Sequence, residues 1–138
     1  MGRILWFLQR VLLCCLKKGA FDMNIHDYDK ENVLYAVHNH NLNIHYTAPK
    51  EIWEKLQKLY QEMPHWKENY GETDATWYAE GDGKLIEACV EPSGLFFYAE
   101  LPQEEWDLWF DLFKKRATEI LGFAVGEPED GFPFIIWE

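Results

Sequence analysis

Apolar residues recur at two spacings along this chain, and each spacing predicts a different kind of element. In "EIWEKLQKLYQEM" (51–63) they return every three or four positions, which predicts an amphipathic helix. Thr47 offers a hydroxyl as its N-cap, Pro49 suits the first turn, and Pro64 ends it.

The segment "LPQEEWDLWFDLFKKRATEILG" (101–122) predicts a second, longer helix. Pro102 suits its first turn and Gly122 its C-cap. Leu108 and Leu112 lie outside the main apolar stripe and leave only a narrow polar side. Because exposed apolar patches mark binding sites, these two leucines are candidates for contact with a partner, with burial in the core as the alternative.

Short apolar runs bounded by Gly, Pro and Asn predict the strands. Two runs around "NHN" predict a hairpin, three later runs predict consecutive strands joined by tight turns, and Pro133 places the last strand at a sheet edge or at its own start. The runs are VLYAVH (33–38), LNIHY (42–46), ATWYAE (75–80), KLIEACV (84–90), LFFYAE (95–100) and FPFIIW (132–137). The order ββαβββαβ predicts an α+β fold, an antiparallel sheet of about five to six strands with two helices on one face.

Residues 1–22 differ in character from residues 23–138. The first segment is apolar and carries four basic residues against Asp22, a net charge of +3. The whole chain carries −11, so residues 23–138 carry −14. This contrast indicates an apolar, basic leader followed by a single α+β domain.

Several interpretations of the leader are open. It is too short to span a bilayer as a helix, a basic residue interrupts its apolar run, and no small-residue cleavage site follows, which disfavours a signal peptide. The codons for "KKGA" (17–20) are compatible with a bacterial ribosome-binding site, which favours translation that starts at Met23. The alternatives are an interfacial helix with acylatable Cys14 and Cys15, or a helix packed on the domain.

Composition restricts the classes of function. The negative charge argues against direct nucleic-acid binding and favours a cationic partner, or solubility alone. Aromatic residues make up 17% of the chain, with seven Trp, so some rings are expected at the surface as anchors for a partner. Cys89 is the single cysteine of residues 23–138, which predicts no intrachain disulfide framework and a reducing, cytoplasmic setting.

The stretch "HNHNLNIH" (38–45) places three histidines close together. On a straight strand His38 and His40 would share one face, but the intervening asparagines predict a turn that splays them. No further ligand motif is present, so we predict no metal site and retain His38, His40 and His45 only as candidates should one exist. A pH-sensitive role for these histidines is the alternative.

No motif identifies a reaction. Cys89 has no histidine beside it in the sequence, Ser93 lacks the G-x-S-x-G context, and "GDGK" (81–84) is too short for a phosphate-binding loop. We therefore predict a protein that is not an enzyme and has no cofactor.

In size, acidity and aromatic content, residues 23–138 resemble the small acidic immunity proteins with which bacteria neutralise toxins. The resemblance implies a cytoplasmic binding module whose partner is a basic protein such as a nuclease, met by acidic loops and exposed rings. The alternatives are a small-ligand-binding protein or enzyme with an aromatic-lined pocket, and a membrane-peripheral protein anchored by residues 1–22. The candidate partner-binding residues are Asp107, Asp111, Glu127, Glu129, Asp130, Glu72, Asp74 and Trp137.

Overall fold

The computed structural model describes residues 35–68, 73–79, 83–135 and 137. The predictions for the leader, for a start at Met23 and for Glu72 lie outside these residues. The elements are β1 (Ala36–Leu42), α1 (Lys50–Glu62), β2 (Ala75–Trp77), β3 (Leu85–Glu91), β4 (Gly94–Leu101), α2 (Gln103–Leu121) and a short 3-10 helix (Pro128–Asp130).

The four strands form one antiparallel sheet in the order β1-β4-β3-β2. The predicted α+β class with an antiparallel sheet and two helices is confirmed. The larger number of strands and their order are not confirmed, because four strands and two α-helices lie in the part of the chain that is described.

Both helices pack against the sheet face that carries Phe97. Its ring meets Trp109 and Phe113 of α2 edge-on, at centroid distances of 5.9 and 4.9 Å. Tyr60 of α1 meets Trp77 of β2 edge-on at 5.5 Å, and the Trp77 indole N–H donates to the Tyr60 carbonyl at 2.9 Å. Edge-to-face packing suits the charge distribution of aromatic rings, and these rings form the centre of the core.

One strand replaces the hairpin predicted around "NHN". β1 continues through Asn39 and Asn41 and pairs along its length with β4, from Ala36 opposite Leu101 to Leu42 opposite Leu95. The prediction of a turn there is wrong. Side chains along β1 alternate between the helices and the other side of the sheet, and this strand pattern outweighs the turn propensity of the two asparagines. His38 and Leu42 face the helices, while Asn39 points to solvent.

The last predicted strand is also absent from the described part of 132–137. Pro133 has no N–H to donate to a ladder, and its carbonyl accepts a hydrogen bond from the side chain of Asn43 at 3.0 Å. The segment therefore lies against β1 through a side chain and not through strand pairing.

The ends of the elements test the predicted caps. Gly122 ends α2 in the left-handed conformation, with φ of 84°, as predicted. Pro49 and Pro102 occupy the N-cap positions and not the first turns. Thr47 is not the cap of α1, because its hydroxyl pairs with the ring of His45 at 2.7 Å.

The second face of the sheet is buried as well. Phe96, Tyr98 and Cys89 point away from the helices, yet all three are buried. Cys89 is disulfide-bonded. The prediction that this cysteine forms no disulfide is wrong, so the cysteine count gives no support to a reducing compartment.

Within the described ranges, none of the helices combines the length and the apolar character that crossing a bilayer requires.

Candidate partner-binding surface

His40 connects β1 to both α2 and the C-terminal segment. Its ring lies 5.5 Å from Trp106 and 5.3 Å from Phe110 of α2, centroid to centroid. Its Nδ1 lies 2.8 Å from a carboxylate oxygen of Glu127. One side chain thus links three elements that are distant in sequence.

His38 lies beside His40 on the same face, with 6.5 Å between the ring centroids. Its Nε2 donates to the Leu101 carbonyl at 3.1 Å, which assigns the Nε2–H tautomer. Burial lowers the pKa of His38, and the Leu101 hydrogen bond and the charge of Asp107 offset this effect only in part. His38 is therefore a neutral core histidine at neutral pH.

The shared face of the two histidines was anticipated for a straight strand, but the geometry does not gather further ligands. Where the chain is described, no three His, Cys, Asp or Glu side chains are placed to hold one metal ion. His45 lies apart from the pair, stacked on Tyr46 at 4.5 Å and edge-on to Phe134 at 5.6 Å.

Asn43 fixes the C-terminal segment, although it was not among the predicted site residues. It is only 2% exposed, and its side-chain amide donates to the carbonyls of Ala124 and Pro133 at 2.9 and 3.0 Å. Its side-chain oxygen accepts from the Gly126 N–H at 3.0 Å, and its own N–H donates to the Gly126 carbonyl at 2.9 Å. The signal in the sequence is a small amide between the apolar Leu42 and Ile44, because a polar side chain is buried at such a position only when it is hydrogen-bonded.

Acidic residues of α2 and of the anchored segment lie near the same pair of histidines, because Asp107 acts electrostatically on His38 and Glu127 pairs with His40. Asp107 and Asp111 are exposed on α2, and the Asp111 carboxylate lies 3.4 Å from Lys114. Lys114 also lines a groove of about 460 Å³ whose other wall includes Glu127 and Asp130. We call this surface the acidic flank, and its carboxylates are Asp107, Asp111, Glu127, Glu129 and Asp130.

Charges inside the acidic flank are only partly compensated. Glu129 and Asp130 are exposed on the 3-10 helix, and Asp107 accepts a hydrogen bond from the neutral Gln103 at 2.9 Å. Lys114 lies over the Phe110 ring, 4.6 Å from its centroid. The acidic flank therefore carries more negative than positive charge.

Two other predicted contact residues have structural roles. The Asp74 carboxylate accepts the Val90 N–H at 2.9 Å, which ties the loop before β2 to the end of β3. Trp137 is half-buried and meets Phe123 edge-on at 6.0 Å, and its buried indole N–H has no hydrogen-bond partner among the described residues. Neither residue joins the acidic flank.

The chain was compared with models of known protein families, with curated proteins and with solved structures, and none of them matches it.

Proposed function

We propose that this chain is a protein-binding module that neutralises a basic toxin, with a nuclease as the most concrete partner. The observation that supports the proposal is that α2 and the anchored C-terminal segment, which line one groove, both carry carboxylates. Asp107 and Asp111 come from a helix, while Glu127, Glu129 and Asp130 come from the anchored C-terminal segment.

Long-range attraction supports this proposal first. The chain carries a net charge of −11, and a field of one sign raises the rate at which an oppositely charged partner arrives. Charged groups at the rim of an interface act mainly on this association rate, and contacts at close range then determine the lifetime of the complex.

The rigidity of the acidic flank is the second observation that supports the proposed function. Glu127 is held by His40 at 2.8 Å, and four hydrogen bonds of Asn43 hold the segment that carries it. A surface that is ordered before binding loses less conformational entropy when the complex forms. The acidic flank therefore suits recognition of one basic surface rather than general attraction of cations.

The test is protection of cells. The protein encoded by the neighbouring upstream reading frame is expressed in the bacterial cytoplasm with and without this chain. If that protein is the basic toxin, we expect growth only when the chain is present. A second plasmid encodes the same toxin with an export signal. We propose that the chain acts in the cytoplasm, so we expect it to protect against the cytoplasmic form. The proposal would be contradicted if cells that contain the chain failed to grow with either form of the toxin and the purified chain and toxin did not bind each other at low or high salt.

A matched pair of variants tests the surface itself. Asp107→Lys with Asp111→Lys reverses charge on the acidic flank, while Glu51→Lys with Glu54→Lys makes the same change on the exposed side of α1. We expect the first variant to weaken binding about tenfold or more and the second to weaken it less than about threefold. Equal losses of affinity in the two variants would show that binding depends on the net charge of the chain and not on the acidic flank.

The groove between α2 and the C-terminal segment supports a second candidate, a small-ligand-binding protein. Its volume of about 460 Å³ lies in the range of small-molecule sites, and Val125 and Phe132 give it an apolar lining. A ligand-induced rise in Tm that Phe132→Ala abolishes would favour this candidate over protein binding.

A further inference from the structure

The outer face of α2 carries two exposed leucines one helical turn apart. Leu108 is 75% exposed and Leu112 is 39% exposed. The other large hydrophobic residues exposed in the described ranges, Tyr46 and Ile135, lie outside α2. Exposure of apolar residues in a pair on one helix face is the pattern of an interface.

Two charged residues of opposite sign flank these leucines. Glu104 lies before them and Lys115 after them, and both are exposed. Neighbouring charges are already paired within the chain: Arg116 with Glu119 at 3.4 Å, and Glu105 with Lys84 at 2.8 Å. Glu104 and Lys115 form no ion pair in the described residues, so both remain available to a second surface.

These four residues are arranged with twofold self-complementarity. At 100° per residue, Glu104, Leu108 and Lys115 fall within about 40° of one another, and Leu112 follows about 40° further round. The midpoint of the two leucines lies at position 110. Glu104 is about 9 Å before it and Lys115 about 7.5 Å after it, at 1.5 Å per residue.

We propose that two copies of this chain associate through α2 as a symmetric antiparallel pair of helices. A twofold axis at position 110 places Leu108 against Leu112 of the partner subunit. The same axis brings Glu104 within about 1.5 Å, along the helix, of Lys115 of the partner subunit. One self-complementary patch thus provides an apolar centre and two ion pairs, as an isologous interface requires.

The order of charges favours a second copy over a basic partner at this site. A basic partner would be repelled by Lys115, whereas an antiparallel copy presents an acid to it. Asp107 and Asp111 of the two copies border the contact and oppose it, and a single helix buries less surface than a standard interface. The dimer is therefore weak, with a Kd in the micromolar range or above.

Sedimentation equilibrium of the full chain, from low micromolar to near-millimolar concentration, tests the dimer. We expect concentration-dependent dimerisation that Leu108→Lys abolishes. Ile135→Lys makes the same chemical change at an exposed residue outside α2 and is expected to leave the dimer intact. A chain that is monomeric at every concentration would overturn the proposal, as would equal loss in both variants.

Charge exchange distinguishes this geometry from unspecific contact. Glu104→Lys and Lys115→Glu each place like charges together and are expected to weaken the dimer about tenfold. The double variant restores opposite charges and is expected to return to within about threefold of the parent. A double variant that dimerises no better than the single ones would reject the antiparallel pairing.

Discussion

Asn43 and Gly126 exchange two hydrogen bonds across 83 positions of the chain. The Asn43 N–H donates to the Gly126 carbonyl at 2.9 Å, and the Gly126 N–H donates to the Asn43 side-chain oxygen at 3.0 Å. The C-terminal segment, which Pro133 keeps out of the sheet, is thus held by hydrogen bonds to Asn43 and not by pairing with a neighbouring strand. This exchange holds the acidic residues of the 3-10 helix beside α2.

Asn43→Ala is expected to lower the free energy of unfolding by about 3 kcal/mol. The substitution leaves the Gly126 N–H and the carbonyls of Ala124 and Pro133 without their partner, and each unsatisfied buried group costs about 1–3 kcal/mol where water does not replace the bond. Urea unfolding at equilibrium measures the change.

Asn39→Ala is the matched control for Asn43→Ala, because Asn39 is an exposed asparagine of β1, four residues before Asn43. We expect its effect to stay within about 0.5 kcal/mol. If the two alanine variants were equally stable, Asn43 would not be the residue that anchors the C-terminal segment.

Gly94→Ala is expected to destabilise the protein far more than Gly131→Ala. Both glycines have positive φ, at 116° and 96°, so both substitutions strain the backbone by about 1–2 kcal/mol. A Cβ at Gly94 would lie 2.5 Å from the Leu42 carbonyl oxygen and 3.1 Å from the Phe134 ring, whereas one at Gly131 meets nothing within 4 Å. Thermal unfolding of the two variants separates the steric effect from the strain, and equal Tm values would refute the close approach.

The elements that the sequence predicts best are those with strong periodicity. α2 runs from Gln103 to Leu121, close to the predicted range, because its apolar stripe and its Gly122 cap agree. The sequence predicts a turn within β1 because Asn39 and Asn41 favour turns, but pairing with β4 outweighs that local preference. β2 ends early because Tyr78 and Ala79 adopt positive φ values of 68° and 39°, which no local pattern indicates.

The acidic flank illustrates a different limit. The sequence identifies Asp107 and Glu127 as acidic surface residues, but only the fold brings them to the same side of the molecule. Asp74 is likewise an acidic loop residue that the sequence predicts at a partner contact, but its carboxylate accepts a hydrogen bond from the Val90 N–H. Charge patterns therefore predict which residues are available to a partner, and long-range contacts decide which of them act together.

Stability is expected to fall as pH decreases below neutrality, because of His38. Burial lowers its pKa below the ordinary value of 6.5, so the unfolded chain takes up a proton first. The contribution of His38 to the free energy of unfolding is fully present above its pKa in the unfolded chain. It is lost as pH falls from that pKa through the lower pKa of the folded chain. NMR titration of the ring is expected to give a midpoint below 6.5, and a midpoint at or above 6.5 would contradict a neutral core histidine.

At alkaline pH, Tyr60 is expected to limit stability. Burial raises its pKa far above the ordinary value, and the charge of Asp74 adds to the shift. Above pH 10 the unfolded chain loses the phenolic proton while the folded chain keeps it, so stability is complete below that pH and declines above it. Tyr60→Phe removes this titration, and the variant is expected to lose less stability than the parent between pH 9 and pH 11, measured as urea midpoints. The same decline in both proteins would show that Tyr60 ionises freely in the folded state or that another group controls alkaline unfolding.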